Sequence, residues 1–279
     1  MCIDKRCYVW YNMNMKLIDN KTDLNGMDCH LHSPFSPDAK RMGASDPFEI
    51  ADAARERGLK GFIATDHVDV GHWQSSPPVD FDAYFTVWEK VRKANPDLKI
   101  YVGLEVGFEI QYVEQTYKLV KDLPVEYVIN SVHYWKEPVK SESGYDNYYI
   151  YGKHAGYEDY LRAVSASLDV PYGFNTIGHL GFPERYAPFP ENERAMGYDE
   201  FKPLFDEIIR KAVARGVRFE LNTNVQGELC HPRADFLRAY KKAGGVRPVL
   251  GSDAHSPEAV AHRFDEAAAF LDGMFGKND

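Results

Sequence analysis

The sequence predicts an α/β fold in which seven parallel strands close into a (β/α) barrel, and three observations carry that prediction. Short apolar runs alternate with longer amphipathic stretches seven times along the 279 residues. The short runs end in polar chemistry and read as strands buried on both faces, which implies a parallel sheet. Finally, the first run is followed by "HLHSPFSPD", not by the Gly-rich loop an open nucleotide-binding sheet places there. An open doubly wound sheet is the alternative, and closure into a barrel is the simpler architecture. Residues 1–26 read as an N-terminal extension and residues 27–279 as the barrel.

Taken in order, the strands fall at about Gly26–Leu31, Gly61–Thr65, Lys99–Glu105, Tyr127–Val132, Thr176–Leu180, Arg218–Asn222 and Pro248–Ser252. Helices are expected near 47–57, 81–94, 114–122, 157–168, 199–215, 233–243 and 257–272. The first helix has a strong start, with Asp46 as N-cap, Pro47 at the first helical position, Glu49 completing a capping box and Gly58 as the stop. The last has a similar start in Ser256, Pro257 and Glu258.

Composition narrows the function. A hydrophobic fraction of 44% can fill a sizeable core. The net charge of −9 argues against a nucleic-acid surface, which needs clustered cations, but leaves room for an anionic substrate held by metal ions. Cys2, Cys7, Cys29 and Cys230 form no CxxC pair, so a reducing, cytoplasmic setting is expected. No apolar run approaches the roughly 18 residues of a membrane span, and the N-terminus lacks the apolar core of a signal peptide.

The chemistry lies at the strand ends. The first strand ends in His30 and His32, the second in Asp66 and His67, the third in Glu105, the fourth in His133 and the fifth in His179. The sixth carries Glu220, Asn222 and Asn224, and the seventh is followed by Asp253 and His255. In a barrel these ends meet at one rim, where such folds place their active sites. Residues at i and i+2 share a face roughly 6–7 Å apart, so His30 and His32 can both aim inward. A single His after a strand is usually a capping or hydrogen-bonding residue. Six of the ten histidines at five strand ends are hard to assign to chance, whereas His72, His154, His231 and His262 lie off the pattern and read as structural. The donors outnumber the three or four that one zinc takes, which suggests a two- or three-metal cluster with a bridging carboxylate. Cys29 is expected to face away from His30 and to be a buried packing residue.

The motifs "DCHLHSPFSPD", "ATDH", "GLEVGFE", "NSVHYW", "IGHLGF", "FELNTN" and "GSDAHSPEAV" follow one another in the order found in the PHP (polymerase and histidinol phosphatase) family, and the chain resembles its histidinol-phosphate phosphatase branch from residue 27 to about 272. The resemblance implies a distorted (β/α)7 TIM-like barrel and three divalent metal ions, Zn, Fe or Mn. It implies that His30, His32 and Asp253 hold the first ion, that Glu105 bridges it to a second held also by His133 and His179, and that Asp38, His67 and His255 hold the third. Asp38 stands where many relatives carry His; a harder carboxylate ligand favours Mn or Fe over Zn.

The implied activity is hydrolysis of a small phosphate monoester, L-histidinol phosphate above others, by a hydroxide bridging the metals. Arg185 resembles a family arginine that grips phosphate. Relatives carry a second arginine soon after the sixth strand; here "NVQGELCHPR" places Gln226 and Glu228 before Arg233, which is the candidate substitute. His179, Asp253 and a metal-bound water are the candidates for the general acid. Glu109, Tyr134 and Trp135 are candidate contacts for the imidazole-bearing leaving group, and the tyrosine-rich segment 145–160 reads as an insertion packed on the rim or as a lid. The competing readings are a PHP phosphoesterase for nucleotides or other metabolites, and a non-catalytic metal-stabilised module. The partner expected is a small phosphorylated metabolite, with neither nucleic acid nor membrane.

Overall fold

A computed structural model describes residues 15–38, 46–72, 79–135, 148–225 and 231–277. Cys2, Cys7, Gln226, Glu228, Cys230 and the start of the 145–160 segment lie outside the described residues, as does the side chain of His72.

The strands are β1 (Met27–Leu31), β2 (Gly61–Ala64), a two-residue β3 (His67–Val68), β4 (Lys99–Gly107), β5 (Tyr127–Ser131), β6 (Thr176–Ile177), β7 (Arg218–Asn222) and β8 (Val249–Gly251). The α-helices are α1 (Pro47–Glu56), α2 (Phe81–Ala94), α3 (Val113–Val120), α4 (Lys153–Ser167), α5 (Pro183–Tyr186), α6 (Lys202–Arg215), α7 (Ala234–Lys242) and α8 (Phe264–Phe275). Strand pairing runs β1-β2-β4-β5-β6-β7-β8, parallel throughout, with β3 beside the end of β4. The ring closes between β8 and β1: the Asp253 N–H donates to the His30 carbonyl at 2.9 Å and the His32 N–H to the Ala254 carbonyl at 2.8 Å. This seven-strand barrel is distorted, because β6 contributes two residues and β1 is met by residues beyond the end of β8 through the Leu31–Ala254 bridge.

Local chemistry explains the elements. Asp46 caps α1 by accepting from the Phe48 N–H at 2.9 Å while Glu49 accepts from the Asp46 N–H at 3.2 Å, so two orphan amides are satisfied reciprocally. Outward-facing Phe62, Leu104, Val128 and Phe219 pack with Trp88, Tyr84, Leu161, Ile208 and Phe236 of the helices in one continuous core. Burying an aliphatic or aromatic side chain of this kind contributes about 1.5–3 kcal/mol. Met27, Cys29, Ile63, Tyr127, Ile129 and Val249 form a second cluster of strand residues that fills the barrel interior. Residues 15–26 run beneath it: the Ile18 N–H donates to the Glu126 carbonyl at 2.9 Å, Asn175 Nδ2 to the Ile18 carbonyl at 2.9 Å, and Leu24 joins the interior cluster.

Two details depart from the sequence reading. Between Asp28 and Leu31, β1 advances three residues while β2 advances two, a bulge with one extra residue. Cys29 therefore joins the interior cluster beneath the histidines instead of facing the helices, although it is buried as expected. The helix expected from 257 is broken: Pro257–Ala259 form a 3₁₀ turn, Ala261 and Arg263 take φ of 54° and 55°, and α8 begins at Phe264. The cause is a distant side chain, since Asp28 Oδ2 accepts from the Ala261 N–H at 2.9 Å and draws the chain toward β1.

Candidate metal centre

The C-terminal ends of the strands deliver the titratable groups to one mouth. His30 and His32 leave β1 together, and the register of β3 on β4 sets His67 beside Glu105. His133 and His179 follow β5 and β6 by two residues each. Asp253 follows β8 with φ of 53°, a left-handed conformation that Asp tolerates better than most residues.

Three groups of donor atoms result. In the first, His30 Nε2 and His32 Nε2 are 3.0 Å apart, and Asp253 Oδ1 lies 3.7 and 3.2 Å from them. Glu105 Oε2 is 3.3 Å from the same His30 nitrogen. In the second, Glu105 Oε1 is 3.2 Å from His133 Nε2 and 2.8 Å from His179 Nε2, and the two imidazole nitrogens are 3.3 Å apart. In the third, Asp38 Oδ2 lies 3.1 Å from His67 Nε2 and 3.0 Å from His255 Nε2. The ring of His32 stacks on those of His67 and His255, with centroids 4.3 and 4.2 Å apart, joining the third group to the first. Glu105, fully buried, sits between the first two groups and reaches His67 Nδ1 at 2.9 Å.

Behind these atoms stands a layer in which the strand-end pattern names Glu220 and Asp66 but not Asp69, Ser36 or Ser131. His30 Nδ1 donates to Glu220 Oε1 at 2.7 Å, His133 Nδ1 to Asp69 Oδ1 at 3.0 Å and His255 Nδ1 to the Asp253 carbonyl at 2.9 Å. His32 Nδ1 donates to Ser36 Oγ at 3.0 Å, and that hydroxyl donates to Asp66 Oδ1 at 2.7 Å. Ser131 Oγ donates to Glu105 Oε1 at 2.6 Å. Asp69 follows the short β3, so counting strand ends could not find it. Glu220, named among the strand-end residues, is a partner of a ligand because its buried position in "RFELN" makes an unpaired charge costly.

Electrostatics follow from this packing. Burial disfavours charge on His30, yet the carboxylates of Glu220, Glu105 and Asp253 hold its pKa well above the ordinary imidazole value. His133 is likewise opposed by burial and raised to about 10 by Glu105 and Asp69. His32 goes the other way, to about 3, because burial and the neighbouring imidazoles of His255 and His67 disfavour a second charge. Glu105 and Asp253 are held well below the carboxylate range against burial, chiefly by His30. Imidazoles and carboxylates thus shift against one another across the cluster, and ligation by the imidazoles requires their neutral form.

The donor set fits divalent cations. Glu105 Oε2 and His67 Nδ1 are buried and make no hydrogen bond among the described residues, although they are 2.9 Å apart. Two pairs of imidazole nitrogens approach to 3.0 and 3.3 Å, separations at which a shared cation satisfies both lone pairs. His32–His67–His255, His30–His32–Glu105 and His67–Glu105–His133 each bring their donor atoms within 4.8 Å of one another.

Around this centre, the Arg185 guanidinium donates to Asp253 Oδ2 at 3.0 Å and to Asn222 Oδ1. Arg233 is engaged elsewhere: its Nε and Nη2 donate to Glu184 Oε2 at 2.9 and 2.6 Å, tying the start of α7 to α5. Tyr134 faces the charges of Asp69, His67 and Glu109, and burial above all pushes its phenol up to about 12. Trp135 stacks on Tyr148 with centroids 4.1 Å apart, and Tyr148 and Tyr149 are buried, so this part of the tyrosine-rich segment packs on the barrel. Phe182 sets its ring 5.3 Å from that of His133 and 5.0 Å from that of His179. His231 is buried against Gly181, His154 packs on Phe201, and His262 is exposed, all outside the cluster.

Comparison with known proteins agrees in fold and in sequence. A "Probable histidinol-phosphatase" of Clostridium acetobutylicum is 28% identical over 250 residues, 86% of this chain and 90% of the relative. The "Histidinol-phosphatase" of Lactococcus lactis is 27% identical over 235 residues, 82% of this chain and 84% of the relative. The crystal structure of histidinol phosphate phosphatase from Lactococcus lactis, complexed with zinc, L-histidinol and phosphate, superposes with a TM-score of 0.76 at 24% identity, covering 89% of this chain and 93% of that one. No helix among the described residues is long and apolar enough to cross a membrane. The profile of the PHP domain matches residues 28–224, well over half the sequence, and the chain belongs to the PHP domain family.

Proposed function

We propose that this protein hydrolyses L-histidinol phosphate to L-histidinol and phosphate, using three divalent metal ions of the Zn, Fe or Mn type. The observation that carries the reading is the convergence of His30, His32, Asp38, His67, Glu105, His133, His179, Asp253 and His255 at one mouth with Arg185 beside them. Relatives named histidinol-phosphatase, aligned over more than four-fifths of the chain, support the choice of substrate.

In this reading His30, His32 and Asp253 would hold one ion, His133 and His179 a second with Glu105 shared between the two, and Asp38, His67 and His255 a third. Phosphate monoesters hydrolyse so slowly in water that the barrier must fall by more than about ten kcal/mol. Bound divalent ions supply charge neutralisation at the phosphate oxygens and bring the pKa of water toward about 7. The chain's own part is orientation. Arg185, now spread between Asp253 and Asn222, turns its guanidinium to the phosphate, for which its paired N–H groups are suited. Asp253 Oδ2 is the oxygen turned toward Arg185, so a phosphate gripped there lies beside it. We assign that oxygen to relay to the leaving alkoxide the proton that the attacking water gives up, so that the carboxylate begins and ends the reaction ionised. His179 has Nε2 turned to Glu105 and is assigned to the cation. Glu109 and Tyr134 are the polar groups assigned to the imidazole and amine of the leaving group. The cytoplasm is the expected setting, where a free thiol such as that of Cys29 persists.

The test is phosphate release from histidinol phosphate and from a panel of nucleotides, with and without chelator. Histidinol phosphate is expected to be preferred and chelation to abolish turnover. A preference of about a hundredfold for any nucleotide would overturn the substrate assignment, since that ratio is beyond a minor pocket difference. Turnover that survives chelation would overturn the role of the metals.

A further inference from the structure

Glu220 is buried to 1% exposure in the barrel interior, carries a carboxylate and belongs to none of the three donor groups. Both of its oxygens are spoken for. Oε1 accepts from His30 Nδ1 at 2.7 Å and from Asn222 Nδ2 at 3.0 Å, and Oε2 accepts from the backbone N–H of His179 at 2.6 Å. Room for it is made on the next strand, where a Cβ at Gly251 would lie 2.0 Å from Oε1. The carboxylate therefore spans from β7 to the end of β1 and to the turn after β6.

We propose that Glu220 is a positioning residue for the metal centre, fixing His30 as the Nδ1–H tautomer with its Nε2 lone pair in the first donor group while pinning His179 for the second. The proposal rests on the reading that these groups hold divalent cations. A neutral imidazole has one N–H and one lone pair, and the partner of one nitrogen decides the state of the other. With its proton given to Glu220, His30 presents Nε2 to the point it shares with His32 Nε2 at 3.0 Å and Glu105 Oε2 at 3.3 Å. Asp69 does the same for His133. Glu220 reaches two ligand-bearing segments at once without itself being a donor, so it also sets their separation.

Glu220→Gln keeps the shape and removes one acceptor. Either the His179 N–H or His30 Nδ1 then faces an NH₂ group, and the second outcome favours the Nε2–H tautomer, which cannot ligate. Zinc affinity, measured by competition with a chromophoric chelator, is expected to fall about 10–100-fold. The far-UV circular dichroism of the metal-free protein is expected to remain as in wild type. An unchanged affinity would overturn the proposal, and so would a loss of metal-free stability with affinity intact, which marks a merely structural brace. If the variant does not fold, the zinc-loaded wild type decides: in ¹⁵N-histidine spectra, one protonated Nδ1 must vanish in His30→Asn, and its absence from wild type overturns the proposal. Wild type that takes up no zinc would defeat the metal reading itself, a result distinct from wild type and Glu220→Gln binding equally.

Discussion

Arg185 and Arg233, the two arginines proposed for phosphate, meet different partners in the fold. Arg185 ends beside Asp253 at the mouth, whereas Arg233 is locked on Glu184 of α5, a carboxylate that also accepts from the Met196 N–H at 3.0 Å. Arg185→Ala is expected to lower kcat/KM for histidinol phosphate by about two to three orders of magnitude, as loss of a paired, charge-assisted contact does. Arg185→Lys should recover only part, since a point charge cannot replace the planar fork. Arg233→Ala is expected to lower the melting temperature, at a cost of about 1–3 kcal/mol for the stranded Glu184, with KM unchanged. A raised KM in Arg233→Ala would instead return that residue to the substrate. At this scale the sequence was most informative about donors, because a His or carboxylate after an apolar run is visible locally. It was silent on Asp69 and Ser36, whose roles depend on partners 64 and 4 residues away through folded geometry.

At the scale of elements, what was legible followed from local signals. The capping box of α1 and the apolar Phe219 and Leu221 of β7 need nothing beyond neighbouring residues, and both elements stand where the pattern sets them. The bulge in β1 and the break before α8 are set by pairing and by Asp28 reaching Ala261, contacts no window of sequence contains. Glycine placement is the intermediate case. Gly251 and Gly107 look like interruptions of β8 and β4, but a Cβ at Gly107 would sit 1.7 Å from Asp69 Oδ1. Each gap is filled by a carboxylate that orients a histidine. Gly251→Ala, which brings a methyl to 2.0 Å from Glu220 Oε1 and 2.8 Å from the His30 Cβ, is therefore expected to cost about 1–3 kcal/mol. Thermal melts check the stability, and zinc retained after dialysis should fall with it. An unchanged melting temperature would show that β8 relaxes freely at this point.

For the whole molecule, the closed ring and the mouth are one problem solved once. Seven parallel strands converge their C-terminal ends, and residues 15–26 occupy the opposite end, so the donor groups gather at one end of the barrel among the described residues. The closure between the first and last strands is made by the backbones of His30, His32, Asp253 and Ala254, three of which carry candidate metal ligands. Cations bound there should stabilise the fold by about 2.7 kcal/mol at a free concentration a hundred times the dissociation constant. Chelation is expected to lower the melting temperature by several degrees, and to speed hydrogen exchange at the Asp253 and His32 amides more than in β4 and β5. Uniform acceleration across the sheet would contradict this. If the uneven pattern is found, the metals serve as a clasp on a hoop whose two loose ends come from opposite termini of the polypeptide. Starving such a protein of metal would then unbuckle its circumference along that one seam, making metal supply a determinant of its lifetime as well as of its turnover.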